Sequence, residues 1–431
     1  MTNQRTSAIP PLAIIGALFF IFGFITWVNG TLIPFLKIAC ELTYPQALLV
    51  TMFFYIPYVI TAIPSSFILQ KTGYKNGMAF GLVIMAVGAL VFIPAAQTRS
   101  FGLFLSGLFI QGGGLALLQT ASNPYATILG HIDSAAQRIS IMGICNKVGG
   151  MLSGLILGAI VLKGATELEN KLAGTISAVE REALLTQLAG RAIVPYICIA
   201  VALLILAFLV QKSGLPEIEA EQEEGQSTSF DSYANVLQFP HLMLGMLAIF
   251  CYVGVEVIAA DTISQYGRTQ GISLEIAGNF TSFTLAFMLV GYTVGIFAIP
   301  KYIKQHTALR ICALLGVVFS VGIVFTHGYT SVLCVALLGI ANSLMWPAIF
   351  PLGIKGLGSF TKKGSALLIM GIGGGAVLPY LYGKTSELIG VENSGPQYAY
   401  LILIPCYLFI LFFAIKGHTY KSKGNAAYSV N

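Results

Sequence analysis

The chain has 431 residues, of which 56% are hydrophobic and only 9% are charged. Soluble globular proteins carry roughly 25% charged residues, so this composition excludes an ordinary water-soluble protein and predicts one whose solvent is the lipid bilayer. The formal net charge of +6 is small and scattered along the chain, which argues against a nucleic-acid partner.

Apolar runs close to the length that crosses a membrane recur along the whole chain. Runs of this length are helical in lipid because a helix satisfies its own backbone hydrogen bonds. The sequence therefore predicts an all-α membrane protein with twelve transmembrane helices in two sets of six. Spans 1 to 6 are predicted at 11–36, 47–70, 77–97, 101–129, 138–163 and 192–212, and spans 7 to 12 at 239–266, 274–299, 306–327, 329–358, 360–390 and 396–416.

Two polar segments interrupt these apolar runs. Residues 213–238 are acidic and rich in Ser and Gln, and they predict a cytoplasmic linker. This linker would join an N-terminal six-helix bundle at 1–212 to a C-terminal bundle with a cytoplasmic tail at 239–431. The second polar segment, 164–191, has helical periodicity and is predicted to form a surface helix on the outer side.

Lysine and arginine are unevenly distributed between the predicted loops. Outer loops carry four of them, apart from the long insert at 164–191. Cytoplasmic loops carry an excess of Lys and Arg, so we expect both termini to be cytoplasmic. The inner loops hold Lys71, Lys75, Arg138, Lys212, Lys301, Lys304, Arg310, Lys355, Lys362 and Lys363.

The two predicted halves resemble each other in sequence at a constant offset. IMGI occurs at 141–144 and again at 369–372, which is 228 residues later. The same offset aligns Phe22-Gly23-Phe24 of span 1 with Phe250-Cys251-Tyr252 of span 7. Parallel six-helix repeats are typical of secondary transporters whose substrate site lies midway between the halves.

Three charged residues lie within the predicted spans: Lys147 in span 5, and Glu256 and Asp261 in span 7. A charge at the bilayer centre costs about 2.5–3.5 kcal/mol on insertion scales, so each should face a partner or a cavity. We expect Lys147 and Glu256 to form an ion pair between the halves, and Asp261 to lie nearer the outer rim. The alternative is that these side chains reach to an interface.

Uncharged polar residues cluster in spans 1, 4, 7 and 10, in each case beside Gly or Pro. An amide donates and accepts hydrogen bonds, as a sugar hydroxyl does, and an indole can stack on the apolar face of a sugar ring. The alternative is that several of these side chains only link helices, at roughly 0.6 kcal/mol each. The predicted substrate-binding residues are Asn29, Gln119, Asn123, Asn146, Asn342, Trp27 and Trp346.

Other kinds of site have little support in the sequence. The five histidines lack metal-ligand spacing, the seven cysteines form no CxxC pair, and no nucleophile motif occurs. We therefore expect neither enzyme activity nor a bound metal or cofactor, apart from a co-transported Na⁺ or H⁺. The expected partners are a small sugar and the lipid bilayer, and we expect a monomer.

The most distinctive polar segments of the spans are FGFITWVNGTLIPFLK (22–37), GLALLQTASNPYATILG (114–130), GICNKVGG (143–150), YVGVEV (252–257), ANSLMWPAIFPLGIKGLG (341–358) and KKGSALLIMGIGGGAVLP (362–379). Taken together, they resemble the fucose/galactose/glucose:cation symporter family of the major facilitator superfamily, and within it the glucose/galactose and N-acetylglucosamine branches. The resemblance implies a major facilitator fold with two six-helix pseudo-repeats, alternating access, and a place in the bacterial inner (cytoplasmic) membrane.

The sequence departs from the fucose permease pattern at both protonatable carboxylates. The residue after Asn29 is Gly30 where that pattern has Asp, and Gln119 stands where it has Glu. Ion coupling is therefore predicted to involve Glu256 above all, together with Asp261, and Lys147 as a counter-charge that the cation displaces. The sequence thus predicts hexose uptake, of the glucose or galactose type, by cation symport; the alternatives are an N-acetylglucosamine permease, an ion-independent facilitator and a multidrug exporter.

Overall fold

The computed structural model describes residues 11–42, 44–128, 134–174, 176–213, 215, 236–272, 274–277, 280–390 and 394–420. Within these ranges all regular secondary structure is helical. Eleven helical stretches are long and apolar enough to cross a membrane. The longest of them, Leu49–Thr98, supplies two crossings because it bends at Gly73, so the described chain has twelve spans. The predicted all-α, twelve-helix fold is confirmed.

The bend between spans 2 and 3 depends on glycine. Gly73 has φ 77° and ψ 174°, a backbone conformation that residues with a Cβ rarely adopt. The first six spans otherwise lie within a few residues of their predicted positions. Span 1 is Pro11–Ala39, spans 2 and 3 are the parts 44–72 and 74–98 of the helix Tyr44–Thr98, span 4 is Phe101–Ile128, span 5 is Ala135–Val161 and span 6 is Ile193–Lys212.

The second half of the chain provides the other six spans. Spans 7 to 12 are Pro240–Asp261, Phe280–Ala298, Gln305–Phe325, Gly328–Ile354, Thr361–Ile389 and Gly395–Thr419. Span 7 ends before its predicted end at 266, and a separate short helix, Ile263–Thr269, follows it. The hydroxyl of Thr262 donates to the carbonyl of Ile258 at 2.6 Å, and this side-chain bond accompanies the interruption. Span 8 starts later than its predicted start at 274.

Span 10 is divided into two helical segments at Leu344. The first segment ends at Ser343 and the second starts at Met345. Pro347 explains the division, because it has no amide hydrogen to donate to the carbonyl of Ser343 and its ring crowds that carbonyl. The break lies within the polar stretch that begins at Asn342.

The described chain forms two compact units. The first comprises the described residues within 1–57, 75–118 and 145–215, and the second those within 58–74, 119–144 and 216–431. Spans 2, 4 and 5 each contribute residues to both units. The predicted bundles at 1–212 and 239–431 stay a prediction, and 214 and 216–235 of the predicted linker lie outside the described residues.

Glycines let spans 1 and 5 approach closely within the first unit. A Cβ added at Gly23 would overlap the carbonyl oxygen of Asn146, and one added at Gly149 would overlap the carbonyl oxygen of Phe20. Small residues at helix contacts are a general means of packing helices in membranes. Gly23 and Gly149 are therefore needed for the contact between these two helices.

The polar insert at 164–191 forms two helices where the sequence predicts one. These helices are Ala165–Ala173 and Ala178–Gly190. The second begins at a side-chain cap, because the Ser177 hydroxyl accepts a hydrogen bond from the backbone N–H of Glu180 at 3.2 Å.

An ion-pair network attaches the insert to two loops of the first unit. Arg99 lies 2.6 Å from Glu182 and 3.6 Å from Glu41, and Arg181 lies 2.7 Å from Glu41. Single exposed pairs contribute little, about 0–1 kcal/mol, but these four groups share partners. The loops after spans 1 and 3 and the insert therefore lie at the same end of this unit, as alternating crossings require.

Glycines also set the contact between spans 7 and 11 in the second unit. Span 11 contains a 3₁₀ turn at Gly371–Gly373. A Cβ added at Gly371 would meet the carbonyl oxygen of Met246, and one added at Gly374 would overlap the carbonyl oxygen of Phe250. Span 7, which carries Glu256, is thus held close to the backbone of span 11.

Candidate functional site

The buried carboxylate of Glu256 lies among tyrosine hydroxyls in the second unit. Glu256 is 8% exposed, and Tyr252 precedes it by one helical turn. The Tyr252 hydroxyl lies within hydrogen-bonding reach of both Glu256 and Tyr292 of span 8. A Cβ added at Gly143 would meet the ring of Tyr292, so the glycine makes room for that ring. Hydroxyl donors of this kind are what a buried carboxylate requires.

Asp261 is the last residue of span 7 and is half-buried. It follows Glu256 by five residues, or about 7.5 Å along a helix. The two carboxylates interact electrostatically.

The indole of Trp346 is held in a defined orientation by its neighbours in the second unit. Its Nε1 donates to Oδ1 of Asn123 at 3.2 Å. Its ring centroid lies 5.6 Å from that of Phe350, with the planes 25° apart, and 6.3 Å from that of Tyr252. The amide nitrogen of Asn123 donates to the carbonyl of Gln119 at 2.9 Å. Asn123 therefore orients the indole.

Gln119 is half-buried one turn before Asn123 on span 4. Its Nε2 donates to the hydroxyl of Tyr58 at 3.1 Å. Within the described part of the chain this leaves the side-chain carbonyl oxygen of Gln119 available as an acceptor.

Asn342 presents a buried donor beside the break in span 10. It is 1% exposed, and its Oδ1 accepts from the hydroxyl of Tyr407 at 2.9 Å. Its Nδ2 has no hydrogen-bond partner among the residues that the structure describes. Leaving such a group unsatisfied costs about 1–3 kcal/mol, so a water or a ligand is expected there. Tyr407 also interacts electrostatically with Glu256, which places the amide and the carboxylate in one neighbourhood.

The first unit brings together two other predicted residues, Trp27 and Lys147. The ammonium nitrogen of Lys147, which is 4% exposed, lies 4.3 Å from the centroid of the Trp27 ring. A cation–π contact of this kind is worth about 2 kcal/mol when it is desolvated. Gly150 leaves space for the indole, because a Cβ there would overlap the ring. The Nε1 of Trp27 has no hydrogen-bond partner within the described ranges.

The remaining predicted residues are less well defined. Asn146 is half-buried next to Lys147, and its side chain makes no hydrogen bond to the described residues. The side chain of Asn29 lies outside the described residues. The predicted pair of Lys147 with Glu256 joins residues of different units and stays a prediction.

Sequence reasoning missed the tyrosines that connect this cluster. Each makes a side-chain hydrogen bond: Tyr58 with Gln119, Tyr292 with Tyr252, and Tyr407 with Asn342. A usable signal was present, because a tyrosine inside an apolar span needs a polar partner for its hydroxyl.

Twelve helical spans that bury amides, a lysine and a carboxylate define a multi-pass membrane protein, and the superfamily match over most of its length makes it a transporter and not an enzyme. Residues 15–406 match the Major Facilitator Superfamily, and the chain belongs to that superfamily. The resemblance that the six segments carry is confirmed.

Several known proteins are similar to the chain over nearly its whole length. A glucose/galactose transporter of Brucella abortus is 33% identical, over 93% of this chain and 92% of that protein. The L-fucose-proton symporter of Escherichia coli K12 is 29% identical, over 96% and 94%. The crystal structure of FucP in the outward conformation has a TM-score of 0.80 at 29% identity, and the match covers 94% of this chain and 98% of FucP.

Proposed function

We propose that this protein takes up a hexose of the glucose or galactose type together with a cation, by alternating access, across a bacterial inner membrane with both termini cytoplasmic. The observation that carries the proposal is one cluster in the second unit. There, tyrosines join an oriented indole, two amides and a buried carboxylate. The names of the glucose/galactose and fucose relatives support a sugar as the substrate.

The sugar-binding part of the cluster supplies both kinds of hydrogen-bonding group and a flat apolar surface. The carbonyl oxygen of Gln119 accepts and the Nδ2 of Asn342 donates, while Trp346 offers a ring for stacking. Each hydroxyl of a hexose donates and accepts, so it suits this mixture of groups. The roles of Asn29, Asn146 and Trp27 as further sugar ligands remain predictions.

The coupling part of the cluster is Glu256, and the proposed cation is a proton. The carboxylates of the fucose permease pattern are replaced by Gly30 and Gln119, and the E. coli relative is named a proton symporter. Protonation of Glu256 would change the hydrogen bond with Tyr252, whose ring adjoins Trp346. Tyr252 would thereby link the proton to the sugar. Na⁺, which also takes oxygen ligands, is the alternative.

The test is uptake of radiolabelled glucose and galactose into proteoliposomes. One set of vesicles carries a pH gradient without Na⁺, and another carries a Na⁺ gradient at fixed pH. Glu256→Gln is compared with Glu387→Gln, an exposed carboxylate paired with Lys384 at 2.8 Å. We expect accumulation under the pH gradient only, its loss in Glu256→Gln with exchange retained, and normal accumulation in Glu387→Gln.

The other outcomes are equally specific. Accumulation under the Na⁺ gradient alone would replace the proton by Na⁺. Downhill exchange alone, unchanged in Glu256→Gln, would make the protein a facilitator and refute the coupling role. If neither glucose nor galactose is taken up or competes for uptake, the proposed substrate class is refuted. The assay is then repeated with N-acetylglucosamine.

A further inference from the structure

The first unit has a groove of about 540 Å³ on its surface between spans 1, 5 and 6. Its wall is apolar almost throughout, with Phe24 from span 1, Ile160 from span 5 and Val194 from span 6. The volume falls within the range of about 300–1,000 Å³ that is usual for small-molecule sites. Val194 is 68% exposed and Ile160 is 45% exposed, as expected of side chains that face lipid.

The length of the groove matches one leaflet of a bilayer. Its lining runs from Arg191, two residues before span 6 begins, to Leu203 on span 6. Twelve residues of helix rise about 18 Å, and half of a hydrocarbon core of about 30 Å is about 15 Å. An acyl chain lying along the groove would therefore extend from the interface to about the bilayer midplane.

The groove is apolar along its length but basic at one end. Arg191 belongs to its lining, and its guanidinium donates to the backbone carbonyl of Lys163, two residues after span 5. Among the described residues, this carbonyl is the hydrogen-bond partner of the guanidinium. A guanidinium has five N–H donors, so most of them are available to another acceptor. Lys163 is itself exposed and carries a second positive charge, and one carboxylate, Glu167, lies near Gly164.

We propose that this groove binds an anionic phospholipid, with one acyl chain along spans 1, 5 and 6 and the phosphate at Arg191 and Lys163. A guanidinium binds phosphate oxygens through parallel charge-assisted hydrogen bonds. Two cations against one carboxylate favour a lipid with net negative charge over a zwitterionic one. Spans 1 and 5 also carry Trp27 and Lys147, so the lipid binds the two helices that hold this pair.

The test is native mass spectrometry of the full chain in detergent, titrated with phosphatidylglycerol or phosphatidylethanolamine of identical acyl chains. We expect the wild type to bind phosphatidylglycerol more tightly. Arg191→Gln should weaken that binding by roughly tenfold, to the level of phosphatidylethanolamine. Ala202→Trp, which fills the groove, should abolish binding of both lipids.

Two variants serve as matched controls. Leu204→Trp introduces the same side chain at an exposed position of span 6 outside the groove lining, and Arg268→Gln removes an exposed arginine of the second unit. Both should bind lipid as the wild type does. If Ala202→Trp fails to fold, alkylation of Cys198, an exposed residue of the lining, gives an independent measurement. Phosphatidylglycerol should slow it more than phosphatidylethanolamine does.

The proposal is overturned by equal affinity of the wild type for the two lipids, or by an unchanged preference in Arg191→Gln. Equal loss of binding in Leu204→Trp would also overturn it, because the effect would then be unspecific. If native mass spectrometry shows a dimer instead of a lipid adduct, the proposal is also overturned, and this face is assigned to contact with a second copy of the chain.

Discussion

Replacing Asn123 by alanine tests whether the indole of Trp346 is oriented for a sugar. The hydrogen bond from the indole to Asn123 is 3.2 Å long and joins neutral groups, so its net worth is about 0.5–1.5 kcal/mol. Phe350 and Tyr252 still contact the ring in the variant, so the indole should move without leaving its place. If the sugar needs the native orientation, its dissociation constant should rise roughly two- to tenfold.

Tryptophan fluorescence reports the orientation directly, because the chain has only two tryptophans. In a Trp27→Phe background, whose own affinity is measured first, Trp346 is the single reporter. Glucose should quench or shift its emission, and Asn123→Ala should alter both the emission of the unliganded protein and the response to glucose.

A double-mutant cycle isolates the hydrogen bond from the other contact of Asn123. Asn123→Ala also removes the bond from its amide to the carbonyl of Gln119. In a Trp346→Phe background the indole N–H is absent, so only that second loss remains. Equilibrium binding of radiolabelled glucose should give a coupling energy of about 1 kcal/mol between the two substitutions. Strictly additive effects, or an unchanged affinity in Asn123→Ala, would refute the reasoning.

Three further substitutions test the packing and the coupling. Tyr407→Phe removes the donor to Asn342 and leaves that buried amide unsatisfied, at about 1–3 kcal/mol, so the melting temperature in detergent should fall; an unchanged value would contradict the bond. Gly23→Val should destabilise the protein strongly because the side chain overlaps the backbone of span 5, whereas Gly158→Val, with nothing within 4 Å, should melt like the wild type. Lys147→Met should uncouple uptake from the ion gradient while exchange persists, and normal ion dependence would exclude the coupling role.

The order of the spans could be predicted from the sequence because it depends on local properties. The length of each apolar run predicts one crossing of the membrane. The bend at Gly73 falls between the predicted end of span 2 at 70 and the predicted start of span 3 at 77. The break in span 10 at Leu344 was also within reach, because Pro347 removes one backbone hydrogen bond by its chemistry alone. The break was missed because the whole stretch is apolar enough to be read as one helix.

The partners within the site could not be predicted, because they depend on how each helix is rotated about its axis. Lys147 was recognised as a charge at membrane depth, yet its contact with the Trp27 ring follows from a close approach of spans 1 and 5 through Gly23 and Gly149. That approach is a property of two helices together. Apolar periodicity is weak in lipid, where most faces are apolar, so the sequence carries little signal for rotation.

Tyrosines give the cluster a route by which an ion and a sugar can affect each other. The hydroxyl of Tyr252 lies within hydrogen-bonding reach of Glu256, and its ring lies beside Trp346. The hydroxyl of Tyr407 donates to Asn342 and interacts electrostatically with Glu256. On the proposed mechanism, neutralising Glu256 changes the hydrogen bond with Tyr252 and removes a charge that acts on Tyr407. Linkage then requires reciprocity: if protonation tightens hexose binding tenfold, hexose binding must tighten proton binding tenfold, which is about 1.4 kcal/mol. Sugar affinity measured against pH and proton uptake measured against sugar therefore determine one coupling energy.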